Sequence, residues 1–433
     1  MRQLIIIIFL ITINSSLYGL DKFDIKRIKT LNDIGTVYFE NKDYTTAIDN
    51  FESAYKIDRE NHVLKANLIN SYLGQAIHLK RKGDTKNAVL LSKKAISVND
   101  TVPSSHILLA SIYMDDGNYI QAQGELQIAH IYAPNEPVIT TMLGETYFQQ
   151  GDLENAIRFW QKIKEKSPYN EPLNHKIIRA KNEWQVQKKF KEISSHPFRL
   201  KYKPRNEYLA NQVMNALKKA HRDIGKQFRC FPFSEIITIL YSPEEFKKAT
   251  GSDGFIAGLY DGKIRIKVSK KLIHNKEFLE KIIYHEYTHV LIRYLTNDRC
   301  PFWLNEGLAQ SFSEPITGIN VDILTNLELE SNVFSLTNME RVQGLTRGPD
   351  YNIGLNATIA LAYIKSVITT TYIINTFGME SCLHILADLK NKKNISQTIE
   401  NNLGISIDEL DKQVQTKISQ SKETLLNLVR IKK

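Results

Sequence analysis

One spacing constrains this chain more than any other feature: small residues recur every 34 positions. Ala88, Ala122 and Ala156 stand 34 apart, and Ala76, Ala110 and Gly144 precede them by twelve positions each. Large residues follow in phase at Leu79, Tyr113 and Tyr147, and the second half of each unit carries Ala95, Ala129 or Ile163, then Asp100, Pro134 or Pro168. The same pattern occurs upstream as Gly35, Tyr38, Ala47, Phe51 and Ala54, but Ala47 lies 41 positions before Ala88, so seven extra residues separate the first two units. A period of this length means a stack of helix–turn–helix units, none of which buries its apolar face alone. Small residues stand where two helices approach and large ones where a gap is filled. Asn41-Lys42-Asp43, Lys82-Gly83-Asp84, Asp116-Gly117-Asn118 and Gln150-Gly151-Asp152 supply the turns within the units.

These residues resemble the tetratricopeptide repeat, in four copies over residues 28–170. The resemblance implies an α-solenoid whose concave groove holds a peptide or a partner protein. The Lys-rich stretch Pro172 to Ile193 reads as helix, making residues 171–195 a capping helix and linker. After Ser194-Ser195-His196-Pro197 the texture changes. Phe198 to Tyr202 alternates at strand period, and Asn206 to Phe228 has helical period. Glu235 to Tyr241 and Lys263 to Val268 read as further strands, the second preceded by the turn Tyr260-Asp261-Gly262, and long helical segments follow. The expected architecture is mainly α: a solenoid, a boundary near residue 195, and an α+β domain with a small sheet over residues 196–433.

The first residues carry an address. Met1-Arg2-Gln3 is a basic opening, Leu4 to Ile13 an apolar run broken only by Thr12, and Asn14 to Gly19 a small and polar close. That order is a secretory signal peptide over residues 1–19. The run is shorter than the roughly 20 residues that cross a bilayer core. The expected location is therefore the bacterial periplasm or cell envelope, with secretion as the alternative. Membrane association follows only from an uncleaved signal sequence. The formal charge of +10 would suit an anionic partner. The lysines are scattered, however, with no basic stripe interleaved with aromatics, so nucleic acid is not an expected partner. Cys230, Cys300 and Cys382 are the three cysteines, too far apart for a zinc knuckle; they are buried thiols, or Cys230 and Cys300 pair.

Ile283-Tyr284-His285-Glu286-Tyr287-Thr288-His289-Val290 contains His-Glu-x-x-His within an apolar helical stretch. Spacing of i, i+4 puts both imidazoles on one helix face, about 6 Å apart at Cβ, where they can share an ion. Glu286 projects beside that ion, placed to move a proton rather than to ligate. A catalytic zinc asks for a third protein ligand. Glu306, in Pro301-Phe302-Trp303-Leu304-Asn305-Glu306-Gly307-Leu308-Ala309, is either that ligand or a charge favoured by a helix N-terminus, and no other nearby acid is so placed. His130, His175 and His384 are solitary, the glycines form no phosphate cradle, and Ser311, Ser313 and Ser366 lack a nucleophile elbow.

His285-Glu286-x-x-His289 followed by Trp303-Leu304-Asn305-Glu306-Gly307-Leu308-Ala309 is similar to the gluzincin metallopeptidases, in particular bacterial peptidase MA-like domains. The resemblance extends to the turn and strand Gly258 to Ile266, to Tyr363-x-x-Ser366 with Tyr372 and Phe377-Gly378, and to Leu403-Gly404-Ile405-Ser406. It implies a zincin-like fold whose edge strand pairs with extended substrate. It implies Zn2+ held by His285, His289 and Glu306, Glu286 as base and acid, and a tyrosine on the oxyanion: Tyr363, with Tyr351 as competitor and Tyr372 in the core. The chain departs from the family in the short interval between His289 and Glu306. It also departs at Gln310, where relatives often place an acid that orients a ligand histidine.

The expectation is an exported zinc peptidase that cleaves a protein or peptide substrate, with a protein partner in the repeat groove. The rival is a non-catalytic repeat scaffold for envelope assembly with a vestigial peptidase domain. The intact motif, Glu286 included, argues for the enzyme.

Overall fold

The computed structural model describes residues 20–166, 169–251, 258–313, 325–326, 335–339, 353–391 and 393–431. The proposed signal peptide, residues 1–19, and Tyr351 lie outside the described residues. Two compact units divide between Ile177 and Ile178.

The first unit is a run of helix pairs. They are α1 (Lys22–Glu40) with α2 (Tyr44–Ile57), α3 (His62–Lys82) with α4 (Thr85–Val98), α5 (Pro103–Asp115) with α6 (Tyr119–Tyr132), and α7 (Pro137–Gln149) with α8 (Leu153–Lys166). The phased alanines Ala76, Ala88, Ala110, Ala122 and Ala156 are all fully buried. At Gly144 the Trp160 indole lies where a Cβ would stand, so only glycine admits it.

Each pair turns the same way. A residue in the left-handed region (Lys42, Gly83, Gly117 or Gly151) precedes an Asp or Asn that caps the second helix. Asp43, Asp84, Asn118 and Asp152 accept from the backbone N–H three residues on, at 3.2, 3.2, 3.3 and 3.1 Å. The seven extra residues expected between the first two units lie in α3, which has 21 residues against 13 in α5 and in α7. Among the described residues no helix is long and apolar enough to cross a membrane.

The second unit holds a five-stranded mixed sheet, β1 (Lys191–Ser195), β2 (Phe198–Tyr202), β3 (Ile236–Tyr241), β4 (Gly258–Tyr260) and β5 (Ile264–Lys267), in the order β1-β2-β3-β5-β4. β2, β3 and β5 run parallel; the outer strands β1 and β4 pair antiparallel. Alternation sends Leu200, Leu240, Ile264 and Ile266 into the large core beneath α10 (Glu207–Phe228) and α13 (Lys276–Thr296). Ile237, Ile239 and Tyr241 face the other way, toward α11 (Pro243–Thr250) and the end of α9 (Glu171–Gln187). The short α12 (Lys270–His274) leads into α13. Beyond it lie α14 (Phe302–Ser313), α15 (Ile353–Lys390, broken at Gly378), α16 (Ile395–Leu403) and α17 (Ile407–Ile431).

One expectation changes and one alternative is decided. The helix expected over Pro172 to Ile193 ends at Gln187, and Lys191–Ser195 is a strand paired residue for residue with β2, so a boundary at 195 would cut a hairpin. This strand is mostly exposed and polar, which removes the alternation that marks a half-buried strand. Of the two alternatives for the cysteines, the disulfide is not formed: no S–S bond joins Cys230 to Cys300.

One buried polar contact in the first unit makes stability depend on pH. His106 is 3% exposed; its Nδ1 lies 2.6 Å from Glu125 Oε2 and its Nε2 2.8 Å from the Asp100 carbonyl oxygen. Both nitrogens face acceptors, so the doubly protonated ring fits best, and the Glu125 hydrogen bond raises the histidine pKa against the effect of burial. A raised folded pKa contributes stability that is complete below the unfolded value of about 6.5 and fades as pH rises through the folded one. Thermal melts of wild type and His106→Gln should differ by about 1–3 kcal/mol at mildly acidic pH and converge in alkali. An equal gap at both extremes would contradict this assignment.

Candidate metal centre

The candidate ligands sit on two crossing helices. α13 is held by polar contacts to α10: Tyr287 Oη lies 2.6 Å from His221 Nδ1, Tyr284 Oη donates to Asp223 at 2.6 Å, and Lys219 pairs with Glu280 at 2.7 Å. Its opposite side carries His285 and His289, with Nε2 atoms 3.2 Å apart and rings nearly perpendicular. α14 starts at Phe302 and is anchored by buried Trp303, Leu304 and Leu308. It brings Glu306 Oε2 to 3.6 Å from each histidine Nε2. The position of Glu306 follows from its neighbour. A Cβ at Gly307 would overlap the Thr370 hydroxyl and the Ser366 carbonyl, so glycine alone lets α14 lie this close to α15.

His285, His289 and Glu306 are the one set of three or more such side chains among the described residues that could hold a metal ion, each offering a ligand atom within 4.8 Å of the others. A tetrahedral ion with bonds of about 2.0–2.2 Å separates its donors by about 3.3–3.6 Å. The three edges of this triangle are 3.2, 3.6 and 3.6 Å, so the donors fit a zinc-sized ion. The tautomer fits as well. His289 Nδ1 lies 2.9 Å from Asn305 Oδ1; donating there leaves Nε2 with a lone pair facing the triangle.

Glu286 is buried on the same helix, and its Oε2 has no hydrogen-bond partner among the described residues. Burial, reinforced by the nearby Glu306 and opposed by His285, pushes its carboxyl up to about 7. His285 is raised: burial opposes this, but the Glu306 hydrogen bond and the charges of Glu286 and Glu306 prevail. His289 is lowered by burial and by His285, against the pull of Glu306. On the other side of Glu286 lies β4, where a Cβ on Gly258 would stand 2.5 Å from Oε1. The carboxylate is thus held between the edge strand and the candidate ligands.

Other candidates fall as follows. Tyr363 is half-buried on α15 with its ring against Phe302, at 5.5 Å between centroids. Tyr372 donates to Gln413 at 3.0 Å and packs on Phe377, as expected of a core residue. His130 packs on Phe159, and His175 and His384 lie near Glu171 and Glu380 on exposed helix surface. The partner of His289 is Asn305 rather than a residue at position 310. Sequence reasoning missed that role, although Asn305 directly precedes Glu306. It also missed Gly258, whose signal was only a glycine at the start of a short strand.

Residues 28–61 match the family model of the tetratricopeptide repeat. No curated protein matches the chain. Among solved structures, a thermophilic tetratricopeptide-repeat protein of Thermus thermophilus is 19% identical. The match covers 35% of this chain and 98% of that one, with a TM-score of 0.22, too low to speak for the fold.

Two substitutions check the construction of the site. Gly307→Ala should destabilise the fold by about 1–3 kcal/mol in denaturant melts, because the carbonyl it meets is fixed in a helix. If the triangle takes up zinc, Asn305→Ala should weaken that binding about 10–100-fold in chelator competition while the melting temperature stays nearly constant. Unchanged affinity would remove Asn305 from its orienting role. The tetratricopeptide-repeat model thus matches the first helix pair, and the remaining pairs of the first unit repeat its helix–turn–helix arrangement.

Proposed function

We propose that the chain is an exported zinc-dependent peptidase whose repeat array recruits a protein substrate or partner. The observation that carries this reading is the triangle of His285, His289 and Glu306, with edges suited to a tetrahedral ion and Glu286 buried alongside. Bound by these three residues, zinc would supply Lewis acidity at neutral pH. Glu286 takes a proton from the attacking water and returns it to the leaving amine. Gly258 against its carboxylate fixes where that proton is held. The β4 edge beside Glu286 offers backbone groups to an extended peptide, as strand addition requires. Tyr363 remains the candidate for the oxyanion. Export rests on the basic, apolar and small-residue order of residues 1–19.

A second reading is favoured by the repeat match. Arrays of this family present surfaces for protein–protein interaction, so a scaffold for envelope proteins needs no chemistry at Glu286. Experiment separates the two. Elemental analysis should find close to one zinc per chain, lost in His289→Ala. Glu286→Gln should keep the zinc and the fold while lowering chelator-sensitive cleavage of casein at least about 10²-fold. Folded wild type without zinc sinks the peptidase reading, and a Glu286→Gln variant that fully rescues a deletion favours the scaffold.

A further inference from the structure

Behind the sheet, on the face away from Glu286, lies a cluster of buried charge that the proposed chemistry does not use. Glu183 of α9 and Arg265 of β5 are each 0% exposed and Lys263 is 2% exposed. Arg265 grips Glu183 with both terminal nitrogens, at 2.9 and 3.1 Å. Its Nε donates to Asp261 at 3.0 Å, and Nη1 also reaches the Tyr241 hydroxyl at 3.1 Å. Lys263 Nζ lies 3.5 Å from Glu183, and Gln187 bridges Glu183 and Tyr241 at 2.8 and 2.6 Å. From the surface, Arg179 of α9 pairs with Asp261.

Burying such ions is costly and adds little net stability against an apolar replacement, so their value lies in fixed geometry. What they fix is the β4–β5 hairpin. Asp261 and Lys263 flank its turn at Gly262, and Arg265 is the cross-strand partner of Leu259. Period-two alternation puts Leu259 on the α9 side, packed like Val186 and Phe190 against the cluster of Ile237, Ile239 and Tyr241, and Gly258 on the α13 side against Glu286. The edge strand has only three residues and one neighbouring strand in the sheet, too little pairing to hold a hairpin to a fraction of an ångström.

We propose that Glu183 and Arg179 are positioning residues: through Arg265 and Asp261 they lock the β4–β5 hairpin from behind, keeping Gly258 seated on the Glu286 carboxylate. The functional part of this inference rests on Glu286 as the proton carrier; the mechanical part does not. The test is hydrogen exchange by mass spectrometry on the full chain, with Arg179→Ala, Arg179→Lys and Glu183→Gln. Arg179 is 44% exposed in its side chain, so its variants should fold even where Glu183→Gln does not. In Arg179→Ala, peptides covering residues 258–267 should exchange at least about tenfold faster while those of α13 stay unchanged, and Arg179→Lys should restore protection. Unchanged exchange in the hairpin overturns the proposal, as does equal acceleration in the hairpin and α13. On casein, kcat should fall threefold or more in Arg179→Ala with zinc content unchanged. A loosened hairpin with an unaltered kcat overturns the link to Glu286. A wild type that holds no zinc defeats the peptidase reading alone, since the exchange result still decides the lock.

Discussion

The candidate site depends on two backbone approaches that a single methyl group would prevent. At Gly258 the edge strand rests directly on the Glu286 carboxylate, and at Gly307 α14 rests on the Ser366 carbonyl of α15. The first encloses Glu286 and removes it from water, which is why its carboxyl is pushed upward. The second lets Glu306, one residue away, reach both imidazoles at equal distance. Polar chemistry is thus held by steric contact rather than by a dense hydrogen-bond network, and rotamers alone would not reproduce the triangle.

The surrounding packing serves the same end. Tyr284 and Tyr287 bind the far side of α13 to α10, while His285 and His289 face the opposite direction. The helix is therefore loaded on both sides, which suits a site needing fixed distances. The sheet is loaded on both sides as well, with an apolar core toward α13 and a mixed apolar and ionic layer toward α9.

What the sequence made legible follows from what each feature must satisfy locally. The repeat was readable because small residues are obligatory wherever paired helices meet, and Ala88, Ala122 and Ala156 all stand at such places. The histidine pair was readable because i, i+4 spacing converts directly into proximity on a helix. β1 was not, because a strand exposed on an edge has no apolar rhythm, and β4 was not, because three residues cannot show a period. The ion cluster was beyond reach for another reason. Glu183 looks like any helix surface acid, and its partner Arg265 lies 82 positions away. Nothing in local pattern announces a long-range charge pair.

The extra length of α3 carries a last consequence, about how such an array tolerates growth. Seven residues come within about 20° of two whole helical turns. An insertion of that length therefore extends the helix yet returns Ala76 to the bearing it would have had without it, which is why Ala76 is still fully buried. An insertion one residue shorter or longer would swing everything beyond it, α4 included, by about 100° relative to α2. Length variation in a stacked helical unit is thus quantised by the screw of the helix itself: whole turns are nearly silent, and partial ones break the register of the array.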